Sequence, residues 1–131
     1  MNEVLAYLRD CGTFYLATSA DGQPRVRPFG AVCAFEGGLY IVTNNQKEVY
    51  RQMKANPKVE ICGMHRGTWI RLEGEVAEDE RREARAAMME ANRAALSGMY
   101  TIDDGRMTVF RFVRGAAKIC AFTAEPRTFA L

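Results

Sequence analysis

The chain has one histidine, His65, one tryptophan, Trp69, and no two cysteines close enough to form a CxxC motif. With His65 the only imidazole, no Ser-His-Asp set can be assembled. Zinc would need His65 together with well-spaced thiolates, and the spacing of Cys11, Cys33, Cys62 and Cys120 is wrong for that. Those four cysteines lie among apolar neighbours, so they read as reduced and mostly buried, as in a cytoplasmic protein. An excess of one charge is also missing. The net charge is +2 and the pI about 8.4, short of the basic balance (above ~9) that marks nucleic-acid binders. No apolar run approaches the ~20 residues of a membrane span. Glu3, Arg9 and Asp10 charge the N-terminus, so no secretory signal is expected. Repeats, low-complexity runs and linkers are absent, and 131 residues predict a single domain, 1–131.

What is present is a mainly β pattern. A short amphipathic helix over 2–10, with Val4, Leu5 and Leu8 on one face and Asn2 as its cap, ends at Gly12. A strand at 13–19 is followed by an Asp21-Gly22 hairpin turn and a strand over 24–35. Gly37-Gly38 turns the chain into a strand at 39–43, and a helix over 46–56 closes at Asn56-Pro57. Alternation predicts strands at 59–64 and 68–76 joined through Arg66-Gly67, with Ile70, Leu72 and Val76 facing one way and Trp69, Arg71, Glu73 and Glu75 the other. A helix over 77–95, with Asp79 as a candidate cap and the Met88-Met89 pair as a core seam, precedes a loop at 97–104. Strands at 107–113 and 116–122 flank Gly115, and the last residues read as a loose tail. Strand pairs joined by tight turns imply antiparallel pairing. Seven strands with three peripheral helices imply a small closed or nearly closed barrel.

Two stretches point to chemistry. Arg25, Arg27 and Phe29 share one face of a strand, a setting suited to a flat, negatively charged ligand. Pro28 removes a ladder donor there and implies an edge, a bulge or a barrel opening. Further on, Thr43, Asn44, Asn45 and Lys47 precede or open a helix, where free N–H groups favour phosphate, and Arg51 follows one turn later. The same residues admit plainer readings: an outward charged face, and Asn45 with Glu48 as a helix-capping box beside a solvated Lys47. Trp69, on the less apolar face of its strand, fits an interface, a ring-stacking site or a cover for Arg71. Cys33 and Cys62 lie near these stretches, with no dithiol motif to make them redox centres.

Taken together, three segments resemble the pyridoxamine 5'-phosphate oxidase-like, FMN-binding split-barrel family, in its small NimC/NimA-type branch. They are FYLATSADGQPRVRPFG (Phe14 to Gly30), LYIVTNNQKEVYRQMKANPKVEI (Leu39 to Ile61) and TWIRLEGEV (Thr68 to Val76). The resemblance implies a mainly β fold with flanking helices (α+β), built on an antiparallel six-stranded split barrel. It implies a homodimer with FMN at the subunit interface and a small-molecule substrate. It places Arg27, Pro28 and Phe29 along the flavin and ribityl chain, Val42 and Thr43 in the lining, Lys47 at the phosphate and Trp69 near the ring. Arg25, Asn44 and Arg51 are further nominations, and His65 is the only histidine to match one that NimA-type proteins present near the flavin. Val32 stands near where the true oxidase has a lysine for its substrate phosphate, and no Tyr/Arg/Ser substrate set follows Ala77. The expectation is therefore an FMN-dependent oxidoreductase other than a vitamin B6 oxidase. The alternatives are a non-catalytic flavin or electron-transfer protein, or a relative holding deazaflavin or haem.

Overall fold

Alternating apolar residues build one antiparallel sheet, and four helices cover its apolar surfaces. The computed structural model describes residues 1–131. In chain order the elements are α1 (Asn2–Cys11), β1 (Phe14–Ala20), β2 (Gln23–Phe29), β3 (Val32–Phe35), β4 (Gly38–Asn44), α2 (Glu48–Ala55), β5 (Lys58–His65), β6 (Thr68–Asp79), α3 (Arg82–Ala91), α4 (Arg93–Leu96), β7 (Met107–Cys120) and β8 (Arg127–Ala130). The eight strands follow the order β2-β1-β5-β6-β7-β4-β3, with β8 added beside β7.

The sheet is the split barrel that the resemblance implies; it stays open, and its strands number eight where six or seven are expected. The expected single strand over 24–35 is two. β2 pairs with β1, the chain crosses at Gly30-Ala31, and β3 pairs with β4 at the other end of the sheet. Conversely, the two strands expected around Gly115 are the single strand β7. Gly115 lies opposite Gly74 of β6, and the absence of side chains lets the two backbones pass closely. A Cβ on Gly74 would sit 2.5 Å from the Arg114 carbonyl oxygen and 2.9 Å from Phe112 Cδ1. Backbone cannot swing aside as a side-chain tip can. Gly74→Ala is therefore expected to cost about 1–3 kcal/mol, as overpacking does. Gly98→Ala, with nothing within 4 Å of the new methyl, should stay within about 0.5 kcal/mol. Urea melts of the two variants make the comparison.

The apolar residues form two clusters. The larger fills the barrel with Phe14, Leu16, Ile61, Ile70 and Leu72, closed by Leu8 of α1 and Val49 and Met53 of α2. The smaller lies on the other side of β3 and β4, where Ala84, Met88 and Met89 of α3 and Leu96 of α4 cover Cys33, Tyr40 and Val42. Burial on both faces explains why Leu39 to Thr43 is an unbroken buried run. The expected helix over 77–95 begins late and breaks: Ala77 to Asp79 continue β6, and Asn92 separates α3 from α4. The Asn92 side-chain amide donates to the carbonyls of Val32, at 3.0 Å, and Met88, at 3.2 Å. Asp79 does not cap α3. Its carboxylate accepts from Arg81 and from the buried Tyr40 hydroxyl, and the Arg81 hydrogen bonds above all hold it well below the usual carboxylate range. Nor does Asn2 cap α1, which has Met1 at its N-cap. The expected loose tail is ordered as β8, and Arg127 within it pairs with Glu3.

Candidate functional site

The split in the barrel is the candidate site. β2 pairs only with β1, so its other edge is free. β3 pairs with β4 only as far as Ile41, which leaves Val42 to Asn44 without a neighbour on that side. Between these edges lies a cleft of about 290 Å³. Arg27, Pro28, Phe29, Gly30 and Ala31 form one wall. Val42, Thr43, Lys47 and Val49 form the second, and Ala95, Leu96, Met99 and Tyr100 the third.

Six of the residues nominated from sequence thus meet in one place: Arg27, Pro28, Phe29, Val42, Thr43 and Lys47. Arg25 is exposed farther along β2, opposite Thr18. Asn44 uses its Oδ1 to accept from the Gln46 N–H at 2.8 Å and shapes the turn before α2. Arg51 is exposed and paired with Glu48. His65 lies at the far β5–β6 turn, its ring edge-on to Tyr7. Trp69 lies on the outer face of the sheet, between Met64 and Cys120, with the Phe122 ring 5.0 Å away. The cysteines are less buried than expected: only Cys33 is enclosed, and Cys62 is exposed on that outer face. Burial pushes the Cys33 thiol up to about 11, which makes it inert.

The charges in the cleft have no opposite partners. Arg27 is half-buried, yet its guanidinium bonds only neutral oxygens: Leu16 O at 3.2 Å, Thr18 Oγ1 at 2.8 Å and Gln52 Oε1 at 2.5 Å. Burial first, and the nearby Arg25 charge second, lower its pKa from the ordinary guanidinium value. Neither Arg27 nor Lys47 joins any ion pair. Lys47 is itself the N-cap of α2, and no side chain caps that helix. The expected Asn45–Glu48 box is absent, because the Asn45 amide instead donates to Gly105 O at 2.8 Å. The N–H groups of Glu48 and Val49 consequently have no acceptor. A cation placed at a helix start is repelled by the dipole there, and an anion between them reverses that sign.

Several lining residues were not nominated from sequence. Ala95, Leu96, Met99 and Tyr100 enter because the chain turns at Asn92, inside what reads as one long helix. Asn92 is itself the signal, a poor helix former amid alanines and methionines. Thr18 and Gln52 carry no local signal; only the fold brings them to Arg27.

A family profile described as pyridoxamine 5'-phosphate oxidase matches residues 1–125. No curated protein matches the chain. Among solved structures, a NimC/NimA family protein from Clostridium acetobutylicum is 52% identical, with a TM-score of 0.95, over 100% of this chain and 93% of that one. More distant likenesses extend to the fold alone. A pyridoxamine 5'-phosphate oxidase-related, FMN-binding protein from Nostoc punctiforme is 16% identical, with a TM-score of 0.62, over 99% of this chain and 90% of the other. A haem-binding protein from Mycobacterium smegmatis is 19% identical, with a TM-score of 0.74, over 96% of this chain and 55% of its own. Profile and close structural relative agree: the chain belongs to the pyridoxamine 5'-phosphate oxidase family, in its NimC/NimA branch.

Proposed function

We propose that residues 1–131 form one FMN-binding domain, and that the protein is a homodimeric, FMN-dependent oxidoreductase acting on a small molecule. One observation carries the reading: two cations without carboxylate partners, Arg27 and Lys47, converge on a cleft whose remaining walls are mostly apolar. A phosphorylated ring system needs that combination. Lys47, Arg27 and the free N–H groups of α2 would hold the phosphate. Pro28, Phe29, Val42 and Thr43, with Leu96, Met99 and Tyr100, would enclose the ring and its chain. Bound flavin supplies the electron or hydride transfer, and the protein supplies binding, orientation and electrostatics. That division fits a cleft without a histidine, a cysteine or a carboxylate in its lining. The missing histidine and thiolate also favour flavin over haem. Val32, near where the resemblance puts the B6 oxidase's lysine for its substrate phosphate, is apolar and buried in the core, which supports a reaction other than vitamin B6 oxidation.

The dimer follows from what the protomer leaves open. At about 290 Å³ the cleft is at the lower end of ligand sites, which run from ~300 to 1,000 Å³. Pro28, in its wall, also belongs to the outer face of the sheet, opposite Tyr15 and in line with Cys62. That face exposes Tyr15, Val26, Met64 and Phe122, with Trp69 among them. We assign a second copy of the chain to it, covering the apolar face and completing the cleft. The cell's cytoplasm is the setting in which four unpaired cysteines stay reduced.

The test is a titration of purified protein with FMN and with riboflavin, followed by flavin absorption and fluorescence. The expected result is an equimolar FMN complex, formed more tightly than the riboflavin complex. A protein that binds neither flavin overturns the reading. Sustained NAD(P)H oxidation with an added acceptor then separates an enzyme from a flavin store or electron carrier.

A further inference from the structure

We propose that Gln52 is a positioning residue that aims the Arg27 guanidinium into the cleft while leaving its positive charge unspent for a phosphate-bearing ligand. The proposal rests on the FMN reading above. The α2 helix presents Gln52 to the inner ends of β1 and β2. Its Oε1 accepts from Arg27 Nη2 at 2.5 Å and from the Thr18 hydroxyl at 2.6 Å. The Thr18 oxygen in turn accepts from Arg27 Nη1 at 2.8 Å, so the three side chains form a closed triangle. Both neighbours of the Gln52 oxygen are donors, which fixes the amide with that oxygen inward. Thr18 is 3% exposed, so the triangle is anchored in the interior at one corner, with Arg27 and Gln52 half-buried.

The informative feature is the neutrality of every acceptor. A glutamate differs from glutamine by one terminal atom, fits the same space and would receive the same donors. It would bind Arg27 more strongly, because charge-assisted hydrogen bonds are about twice as strong as neutral ones. For the protomer alone, glutamate is the better partner of a half-buried guanidinium. Glutamine orients the same group and leaves the site cationic. That arrangement serves a ligand that brings its own negative charge. Threonine and the Leu16 carbonyl share the property, so Arg27 is held at three points and neutralised at none.

The experiment compares the wild type with Gln52→Glu and Gln52→Ala in FMN and riboflavin binding, at low and high salt, alongside thermal melts. Gln52→Glu is expected to weaken FMN by about tenfold or more while riboflavin changes by less than about threefold. It should also flatten the salt dependence of FMN binding without lowering the melting temperature. Gln52→Ala keeps the charge and loses the aim, so FMN binding weakens but its salt dependence persists. A Gln52→Glu protein that keeps the wild-type FMN-to-riboflavin ratio and salt dependence overturns this inference alone. Equal loss of both flavins in both variants also overturns it, since that is the mark of packing. A wild type that binds neither flavin overturns the FMN reading, and this one with it.

Discussion

Replacing Arg27 and Lys47 together by alanine is expected to weaken FMN binding by at least about a hundredfold, since hydrogen bonds to charged groups are worth about 1.5–3 kcal/mol each. Riboflavin should lose far less. The two cations reach the cleft from different elements, Arg27 from β2 and Lys47 from the start of α2. They share no hydrogen bond within the protein, but in the proposed reading both hold one phosphate, so their single-variant losses should couple and need not add. Lys47 is exposed and its ammonium joins no ion pair, so Lys47→Ala should leave thermal stability unchanged. Arg27→Ala frees the Thr18–Gln52 pair and carries a stability change of its own. Isothermal titration with both flavins separates phosphate recognition from general damage. Equal losses for FMN and riboflavin would place the phosphate elsewhere.

Met64→Asp is expected to give the other large effect: a protein that runs at the 14.7 kDa protomer mass instead of twice that value, with FMN affinity falling in parallel. Met64 is 66% exposed in the protomer and adjoins Trp69 on the outer sheet face, so a carboxylate there costs the single chain little. Against a second copy, the same carboxylate is buried without a partner, which is costly. The thiol of Cys62 supplies an internal reporter. It lies on the same face, so it should be shielded from thiol reagents in the wild type and open in the variant. Sedimentation and thiol titration together decide the matter. A wild type that sediments at protomer mass would remove the homodimer from the proposal.

How much of this was legible depends on the range of the interactions. Alternation along a strand and the missing proline N–H are local facts, and they nominate Arg27, Pro28 and Phe29. A strand that runs into a helix start is also local, and it nominates Thr43 and Lys47; Val42 comes from the family resemblance alone, which also unites the two stretches. The crossing at Gly30-Ala31 was hidden inside a continuous β-like run, and what divides it is a change of partner from β1 to β4. β8 carried no signal, because its order comes from backbone bonds to β7. The third wall of the cleft was missed for a similar reason: Asn92 breaks the helix by reaching to the Val32 carbonyl, a contact sixty positions away. Alternation along β6 puts Trp69 on the less apolar face of its strand, and that face points away from its own protomer's cleft.

The strand order also has a bearing on how the molecule is made. β4 is complete at Asn44, yet its long neighbour is β7, which begins at Met107. Until the ribosome has released that late segment, β4 has only the four-residue β3 beside it, and β6 lacks its second neighbour. The growing chain can therefore form the β1–β2 and β5–β6 hairpins early, but the two halves join only once β7 has been made. Such distant pairings slow folding, because the loop-closure entropy is spent before the contacts reward it. A nascent chain stalled before Met107 exposes two apolar strand edges at once, and that is the stage at which aggregation or chaperone capture should concentrate.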